Sequence, residues 1–277
     1  MNVSILQLEI EETGTIEMLC QSTIVKAELA MERAGHADLF ILPELFTTGG
    51  FLPLTAWHKN CTEGNKMQTF SQSVARVNKA GLQWMKEKSH ATGAAICGSM
   101  VCQEGEAYYN RLYFVEPDGK TTTYDKHHLF HGAGEEKLFT AGGKRVIVTF
   151  CGMRILLQVC YDLRFPVFSR NRNDYDAIIY VANWPAGRLN AWETLLCARA
   201  IENQCYVMGA NCCGSDSMTT YAGCSSIYDP YGHCLAKGSG TEADCVGATL
   251  KADLTEAFRK KFPAQADADE FTLNGLS

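Results

Sequence analysis

Arg154-Ile155-Leu156-Leu157-Gln158-Val159-Cys160-Tyr161-Asp162-Leu163-Arg164-Phe165-Pro166 is the stretch that decides how the chain is read. Its first six residues form a short apolar run of the kind found in buried strands. Cys160 ends the run, and the polar pair Asp162 and Arg164 follows at once, so the thiol stands where a strand breaks into a turn. In layered α/β proteins such strand ends expose side chains from a rigid scaffold, and sites form there. A helix starting at the turn would favour the thiolate, and the Tyr161 backbone N–H would lie where an oxyanion develops. The plain alternative is a buried strand cysteine, which most free cysteines are.

Working outward, the same rule finds two more positions. Glu44 directly follows the uncharged run Leu39-Phe40-Ile41-Leu42-Pro43. Desolvation at that boundary would raise a carboxylate pKa and suit it to proton transfer near neutral pH. A helix-start carboxylate or a salt-bridge partner fits the position too. Lys126 lies in Tyr124-Asp125-Lys126-His127-His128-Leu129-Phe130, after a strand over 120–124 and before Gly132-Ala133-Gly134. An ammonium there could stabilise an oxyanion, although most lysines are solvated. His127 and His128 keep open a papain-like Cys–His pair.

Around these positions β-rich runs alternate with helical periodicity. Strands are expected over 3–8, 38–42, 94–101, 108–115, 120–124, 145–150, 154–160, 176–182, 204–210, 224–228, 233–236 and 246–250. Helices are expected over 16–34, 70–90, 190–203 and 254–262. Pro117-Asp118-Gly119 and Cys151-Gly152-Met153 read as hairpin turns. Helices interleaved with strands indicate an α/β architecture, with hairpins making the sheets mixed. No linker divides the chain, so residues 1–277 read as one domain of two packed sheets, with a loosely packed tail from about 263.

Composition excludes several classes. At 46% hydrophobic and 20% charged over 277 residues, the chain can bury a large core and is not a disordered protein. The 25 basic and 31 acidic residues leave a net charge of −6, which argues against a nucleic-acid or anionic-membrane surface as the main partner. Apolar stretches such as 177–182 fall far short of the roughly 20 residues a membrane span needs. Residues 1–12 carry Glu9, Glu11 and Glu12 without a basic segment, so no secretory signal is read and a soluble, cytoplasmic protein is expected. The thirteen cysteines include no CxxC pair, and their spacing suits neither a disulfide scaffold nor a zinc site.

Leu42-Pro43-Glu44, Tyr124 to Phe130 and Val159 to Pro166, in that order and 82 and 34 residues apart, resemble the nitrilase or carbon–nitrogen hydrolase superfamily. The resemblance extends from residue 1 to about 260. Asn183-Trp184-Pro185-Ala186, Trp192-Glu193-Thr194-Leu195-Leu196 and Ala198-Arg199-Ala200-Ile201-Glu202-Asn203 look most like its omega-amidase branch. That branch hydrolyses the terminal amide of 2-oxo dicarboxylic monoamides such as 2-oxoglutaramate. The resemblance implies a four-layer αββα sandwich with two mixed β-sheets, no metal or organic cofactor, and a homodimer joined through the helix after the cysteine.

It also implies roles. Cys160 would be the nucleophile and Glu44 the base, with Lys126 and the Tyr161 amide at the oxyanion. A second glutamate belongs in the loop after the lysine, at Glu135 or Glu136, and counting back seven residues from Gly142 selects Glu135. The substrate would be a small carboxylated amide. Arg188, beyond a strand end, is the candidate for its carboxylate, whereas Arg164 reads as structural, paired with Asp162 or a neighbour. Trp184 and Phe46 could be apolar walls or ordinary packing. The helix over 190–203 reads as scaffold, with Trp192, Leu195, Leu196 and Ile201 in core or dimer contacts and Arg199–Glu202 as an ion pair. Rival enzyme readings are a nitrilase, a carbamoyl-amide hydrolase or an aliphatic amidase. A thiol-redox protein using Cys160 is the rival from another class. A pure binding protein would not need Glu44, Lys126 and Cys160 together.

Overall fold

The computed structural model describes residues 1–273. The first half of the chain runs β1 (Asn2–Gln7), α1 (Ile16–Ala34), β2 (Leu39–Ile41), α2 (Phe51–Glu63), α3 (Met67–Thr92), β3 (Ala95–Glu104), β4 (Ala107–Val115) and β5 (Thr121–Asp125). The second half runs β6 (Ile147–Phe150), β7 (Met153–Val159), α4 (Pro166–Ser169), β8 (Ala177–Val181), α5 (Leu189–Asn203) and β9 (Tyr206–Ala210). It ends with β10 (Cys213–Ser215), β11 (Thr220–Ala222), β12 (Ser226–Tyr228), β13 (Cys234–Lys237), β14 (Asp244–Thr249) and α6 (Ala252–Lys261).

Two six-stranded sheets result, ordered β14-β1-β2-β3-β4-β5 and β13-β12-β9-β8-β7-β6. Each has three parallel strands at its centre, β1-β2-β3 in one and β7-β8-β9 in the other, with antiparallel strands outside them. The central strands are largely buried and rich in apolar residues because both faces are covered. In β8, Ala177, Ile179 and Val181 point into the space between the sheets, against Ile5, Ile41 and Phe114 of the other sheet. Ile178 and Tyr180 point the other way and pack with Trp192, Leu196 and Ala200 of α5. The first sheet alternates likewise: Leu39 and Ile41 face inward, and Phe40 and Leu42 pack with Ala27, Ala30 and Trp84 of α1 and α3. Period-two alternation in both sheets thus builds the four layers, α-β-β-α, expected from the sequence.

Most element boundaries agree with the sequence reading to within a few residues, and α1 begins where Thr15 accepts a hydrogen bond from the Met18 N–H (3.3 Å). Helix α2 and the small hairpin β10-β11 were not anticipated. Pro53 stands in the first turn of α2, where proline is tolerated but reads as a break. The hairpin strands are three residues each, too short for a periodic signal. In the tail from 263, Gln265 Nε2 donates to the Asn203 carbonyl (3.0 Å), Arg172 lies over the Phe271 ring, and the partly buried Leu273 packs against the inter-sheet core. The tail's last residues, 274–277, lie outside the described residues. No helix among the described residues is long and apolar enough to cross a membrane.

Helix α5 packs so closely on its sheet that β9 needs a glycine. A Cβ on Gly209 would sit 2.5 Å from Leu196 Cδ1 and 2.8 Å from Trp192 Cζ2, both side chains being fully buried. Gly209→Ala should lower stability by about 1–3 kcal/mol through overpacking, read as a lower urea midpoint at unchanged m-value.

Candidate active site

Four segments deliver polar side chains to one edge of the sandwich, beyond the carboxyl ends of β2, β5, β7 and β8. Glu44 comes from the turn after β2. The next residue, Leu45, is held in the left-handed region (φ 49°), with its N–H bonded to Ser99 Oγ (2.9 Å) and its carbonyl to Thr48 Oγ1 (3.1 Å). This turn carries the Glu44 carboxylate inward, where only 4% of the residue stays exposed. Its Oε1 accepts from Lys126 Nζ (2.9 Å) and from Asn110 Nδ2 (2.7 Å), and its Oε2 from the Asn183 N–H (3.0 Å).

Lys126 directly follows β5 and is 1% exposed. Its Nζ donates to Glu44 and, at 2.8 Å, to Oε1 of Glu135. Glu135 closes its own loop by accepting from the Phe130 N–H through Oε2 (2.9 Å). The choice of Glu135 over Glu136 thus agrees with the contacts to Lys126. Gly142 brings the loop back against the Lys126 backbone, where a Cβ would collide with the Asp125 carbonyl.

Cys160 caps β7 in the left-handed region (φ 46°) and opens a five-residue 3₁₀ turn, Cys160–Arg164. A non-glycine residue held there costs on the order of 1–3 kcal/mol and has to be enforced by its surroundings. Asp162 does the enforcing. Fully buried, it accepts from the Val159 N–H (2.9 Å), Tyr124 Oη (2.7 Å) and the His128 N–H (2.9 Å), with His128 Nδ1 2.8 Å away. The turn that aims the thiol is therefore pinned to both sheets. The buried Arg199 adds a bond from α5 to the Leu163 carbonyl (2.6 Å) besides its expected pair with Glu202 (2.9 Å). The Tyr161 N–H lies in the first turn, where backbone donors have no partner within the helix.

Cys160, Glu44 and Glu135 line a cavity of about 930 Å³. Its walls include Tyr161, Phe130 and Trp184, and part of its rim is Asp216, Met218 and Tyr221 of the β10-β11 hairpin. Arg188 stands here with its guanidinium over the Phe130 ring (5.2 Å), while Trp184 Nε1 donates to the Arg188 carbonyl (2.8 Å). Two expectations need correction. Phe46 is no wall of the cavity: it is buried in the core under α3, 6.1 Å from the Trp84 ring, because the turn after Glu44 folds back against β3. Arg164 does not pair with Asp162, whose oxygens are already taken. Its guanidinium lies over Trp184 (5.0 Å) and lines the cavity.

The papain-like alternative fails on geometry. His127 stacks on Phe168 (4.4 Å) with Nδ1 2.6 Å from the Gly142 carbonyl, and His128 stacks on Phe165 (3.8 Å) and contacts Asp162. Both rings border a separate hollow, away from the one that holds Cys160. Asn110 and Asn183 were missed as site residues. Asn183 follows the apolar run ending β8 and satisfies the strand-end rule used for the others. Asn110 is a buried amide inside an apolar strand, a residue type depleted there, and that was its signal.

Burial penalises charge on Lys126, but Glu135 and Glu44 more than offset it and hold the ammonium pKa well above its ordinary value. Burial likewise raises the Glu135 carboxyl, against the pull of Lys126. The Cys160 thiol is pushed up by burial and then by Glu44, which outweighs Lys126. The expected help from a helix N-terminus therefore does not prevail: with two carboxylates facing one ammonium, a thiolate would add a second uncompensated negative charge. The resting group is a neutral thiol, so any use of it as a nucleophile requires a base to take its proton.

This αββα sandwich with its thiol, ammonium and paired carboxylates at one edge defines a nitrilase-type protein. The chain belongs to the carbon–nitrogen hydrolase family, which matches residues 2–260. It is 39% identical over 272 residues to the omega-amidase YafV of Yersinia enterocolitica, covering 98% of this chain and 100% of that one. It is 32% identical to the 2-oxoglutaramate amidase of Bacillus subtilis, covering 88% and 90%. Among solved structures, XC1258 of Xanthomonas campestris, a CN-hydrolase superfamily protein with an arsenic adduct in its active site, superposes with a TM-score of 0.85. It shares 34% identity, over 99% of this chain and 98% of that one. The family resemblance and the fold expected from the sequence are both borne out.

Replacing the buried cation tests the electrostatics. Lys126→Met leaves Glu44 and Glu135 facing each other without a counter-charge, which should cost about 3–5 kcal/mol at neutral pH. The two carboxyls would then share a proton well above the unfolded glutamate pKa, so the native state binds more protons than the unfolded one. The deficit should shrink as pH falls toward 5 and grow as it rises, as urea melts across pH will read.

Proposed function

We propose that this chain is an omega-amidase, which hydrolyses the terminal carboxamide of small 2-oxo dicarboxylic acid monoamides such as 2-oxoglutaramate through a cysteine thioester. The observation that carries this reading is a single cavity that holds Cys160 beside the Glu44–Lys126–Glu135 ion network and also presents Arg164 and Arg188. Neither guanidinium is engaged with a carboxylate among the described residues, and both rest on aromatic rings. Such cations suit a planar substrate carboxylate. The names of the relatives support the same substrate class.

In this mechanism Glu44 takes the thiol proton as Cys160 Sγ forms a bond to the amide carbon. The Lys126 ammonium and the Tyr161 N–H stabilise the oxyanion, each such donor being worth about 3–4 kcal/mol. Glu44 then returns the proton to the amide nitrogen, the carbon–nitrogen bond breaks and ammonia leaves a thioester behind. A water deprotonated by Glu44 attacks the thioester, and collapse releases the acid and restores the thiol. Glu135 keeps Lys126 charged and in place. Arg188 takes the substrate carboxylate, with Arg164, half-buried and four residues beyond Cys160, as a second cation lining the same cavity. We further read the protein as a homodimer joined through α5, whose Ile201 is exposed, and working in the cytoplasm.

Ammonia release from 2-oxoglutaramate should far exceed release from a nitrile or an N-carbamoyl amino acid. A preference for either of the latter would replace this reading with another family activity. Lys126→Ala should lose about 10²–10³-fold in kcat, whereas His127→Ala should keep most of it. Mass spectrometry of enzyme quenched in turnover should find the acyl group on Cys160. Disulfide formation on peroxide treatment without any ammonia release would instead favour the redox alternative. Glu135 must be ionised to hold Lys126, and burial raises its carboxyl, so kcat/KM should fall on the acid side above the usual glutamate range of about 4.3. No further rise should occur between pH 8 and 9, where an ordinary thiol ionises (about 8.5), because the neutral thiol is the reacting form.

A further inference from the structure

We propose that Asn110 is a positioning residue that reserves one oxygen of Glu44, Oε2, for the proton of the Cys160 thiol. A carboxylate oxygen offers two acceptor positions. On Oε1 both are filled, by Lys126 Nζ at 2.9 Å and Asn110 Nδ2 at 2.7 Å. On Oε2 one is filled, by the Asn183 N–H at 3.0 Å. A proton arriving at Oε1 would have to displace the ammonium or the amide. At Oε2 it displaces nothing.

The state of the Asn110 amide supports this role. The residue is 1% exposed, and its Oδ1 has no hydrogen-bond partner among the described residues. A buried, unsatisfied carbonyl is unfavourable and calls for a reason. Turning the amide over would set Oδ1 against Oε1, two acceptors with no hydrogen between them. The ionised Glu44 therefore holds the amide in the orientation that leaves Oδ1 unbonded. The Asn110 carbonyl also accepts the Lys126 N–H (3.0 Å), so one residue of β4 aligns both the base and the ammonium. An apolar residue there would leave Oε1 to Lys126 alone, and an aspartate would add a third carboxylate to the cluster.

The titratable groups facing Glu44 are Lys126, Glu135 and Cys160, together with Cys212 behind it, which burial keeps as a neutral thiol. Asn110 bonds the charged form of Glu44, so its removal favours the protonated form and moves the acid limb of thiol reactivity to higher pH. The inference rests on Glu44 acting as the base toward Cys160, and it can be read without any substrate.

The test is the rate of Cys160 alkylation by iodoacetamide, followed by peptide mass mapping across pH, for the full chain and for Asn110→Ala and Asn110→Asp. Ammonia release from 2-oxoglutaramate is measured alongside. The acid limb should rise by about one pH unit in Asn110→Ala, a roughly tenfold slower reaction at a pH on the limb, and further in the isosteric Asn110→Asp. In turnover kcat should fall with KM nearly unchanged. Limbs that coincide with the unsubstituted protein in both variants would overturn the proposal. So would loss of folded circular dichroism in both, which would make Asn110 a residue of the fold and not of the base. An unsubstituted protein that shows the limb but releases no ammonia would contradict the proposed substrate and leave Asn110's role intact.

Discussion

An ammonium enclosed by protein and shared between two carboxylates is the constraint on which this structure turns. Lys126, Glu44 and Glu135 come from three segments, and each is costly to bury alone. Together they leave a single net negative charge at the wall of the cavity, and that charge adds to burial in keeping the neighbouring thiol neutral. The cation also fixes where the chain can go. The end of β5, the turn after β2 and the loop over 130–137 all have to converge on one nitrogen atom.

A second buried anion does for the proposed nucleophile what Lys126 does for the proposed base. Asp162 takes donors from the end of β7, from Tyr124 of β5 and from His128, so the elbow carrying Cys160 is fastened to the opposite sheet as well as its own. Two of the strained positions, Leu45 and Cys160, adjoin the Glu44 carboxylate and bear the cavity thiol. Strain placed next to reacting groups and held by buried hydrogen bonds is a form of preorganisation: the geometry is set before substrate enters, and little reorganisation is left for the reaction. Arg199 extends the same support outward to α5, so the outer helical layer is mechanically joined to the site.

The rest of the cavity is built from less regular parts. Helix α2, the β10-β11 hairpin and the segment after β8 supply its rim and its apolar and cationic walls. These elements project from the sandwich edge and are free to differ in shape without disturbing the sheets. The family fold and the thiol, ammonium and carboxylates thus belong to the layered core, and the outer walls of the cavity belong to what has been laid over its edge.

Much of this was legible in the chain itself. Continuous apolar runs such as 177–181 require strands covered on both faces, and alternation with amphipathic helices leaves few ways to layer them. A reactive residue at or just beyond the end of each run marked Glu44, Lys126 and Cys160 as candidates, each beside a plain structural alternative that the family resemblance then outweighed. The order and flanking residues then singled out the family. Tertiary structure alone decided what those residues touch. Local sequence cannot show that Asp162 would be consumed by Tyr124 and His128, which frees Arg164 to face the cavity, nor that Phe46 would turn into the core beneath α3. Asn110 reads as an oddity in a strand until Glu44 is folded against it. Periodicity and boundary residues report how a segment meets water, which is a local property. The partner of a buried charge is set by contacts across dozens of residues, and those exist only once the two sheets have closed.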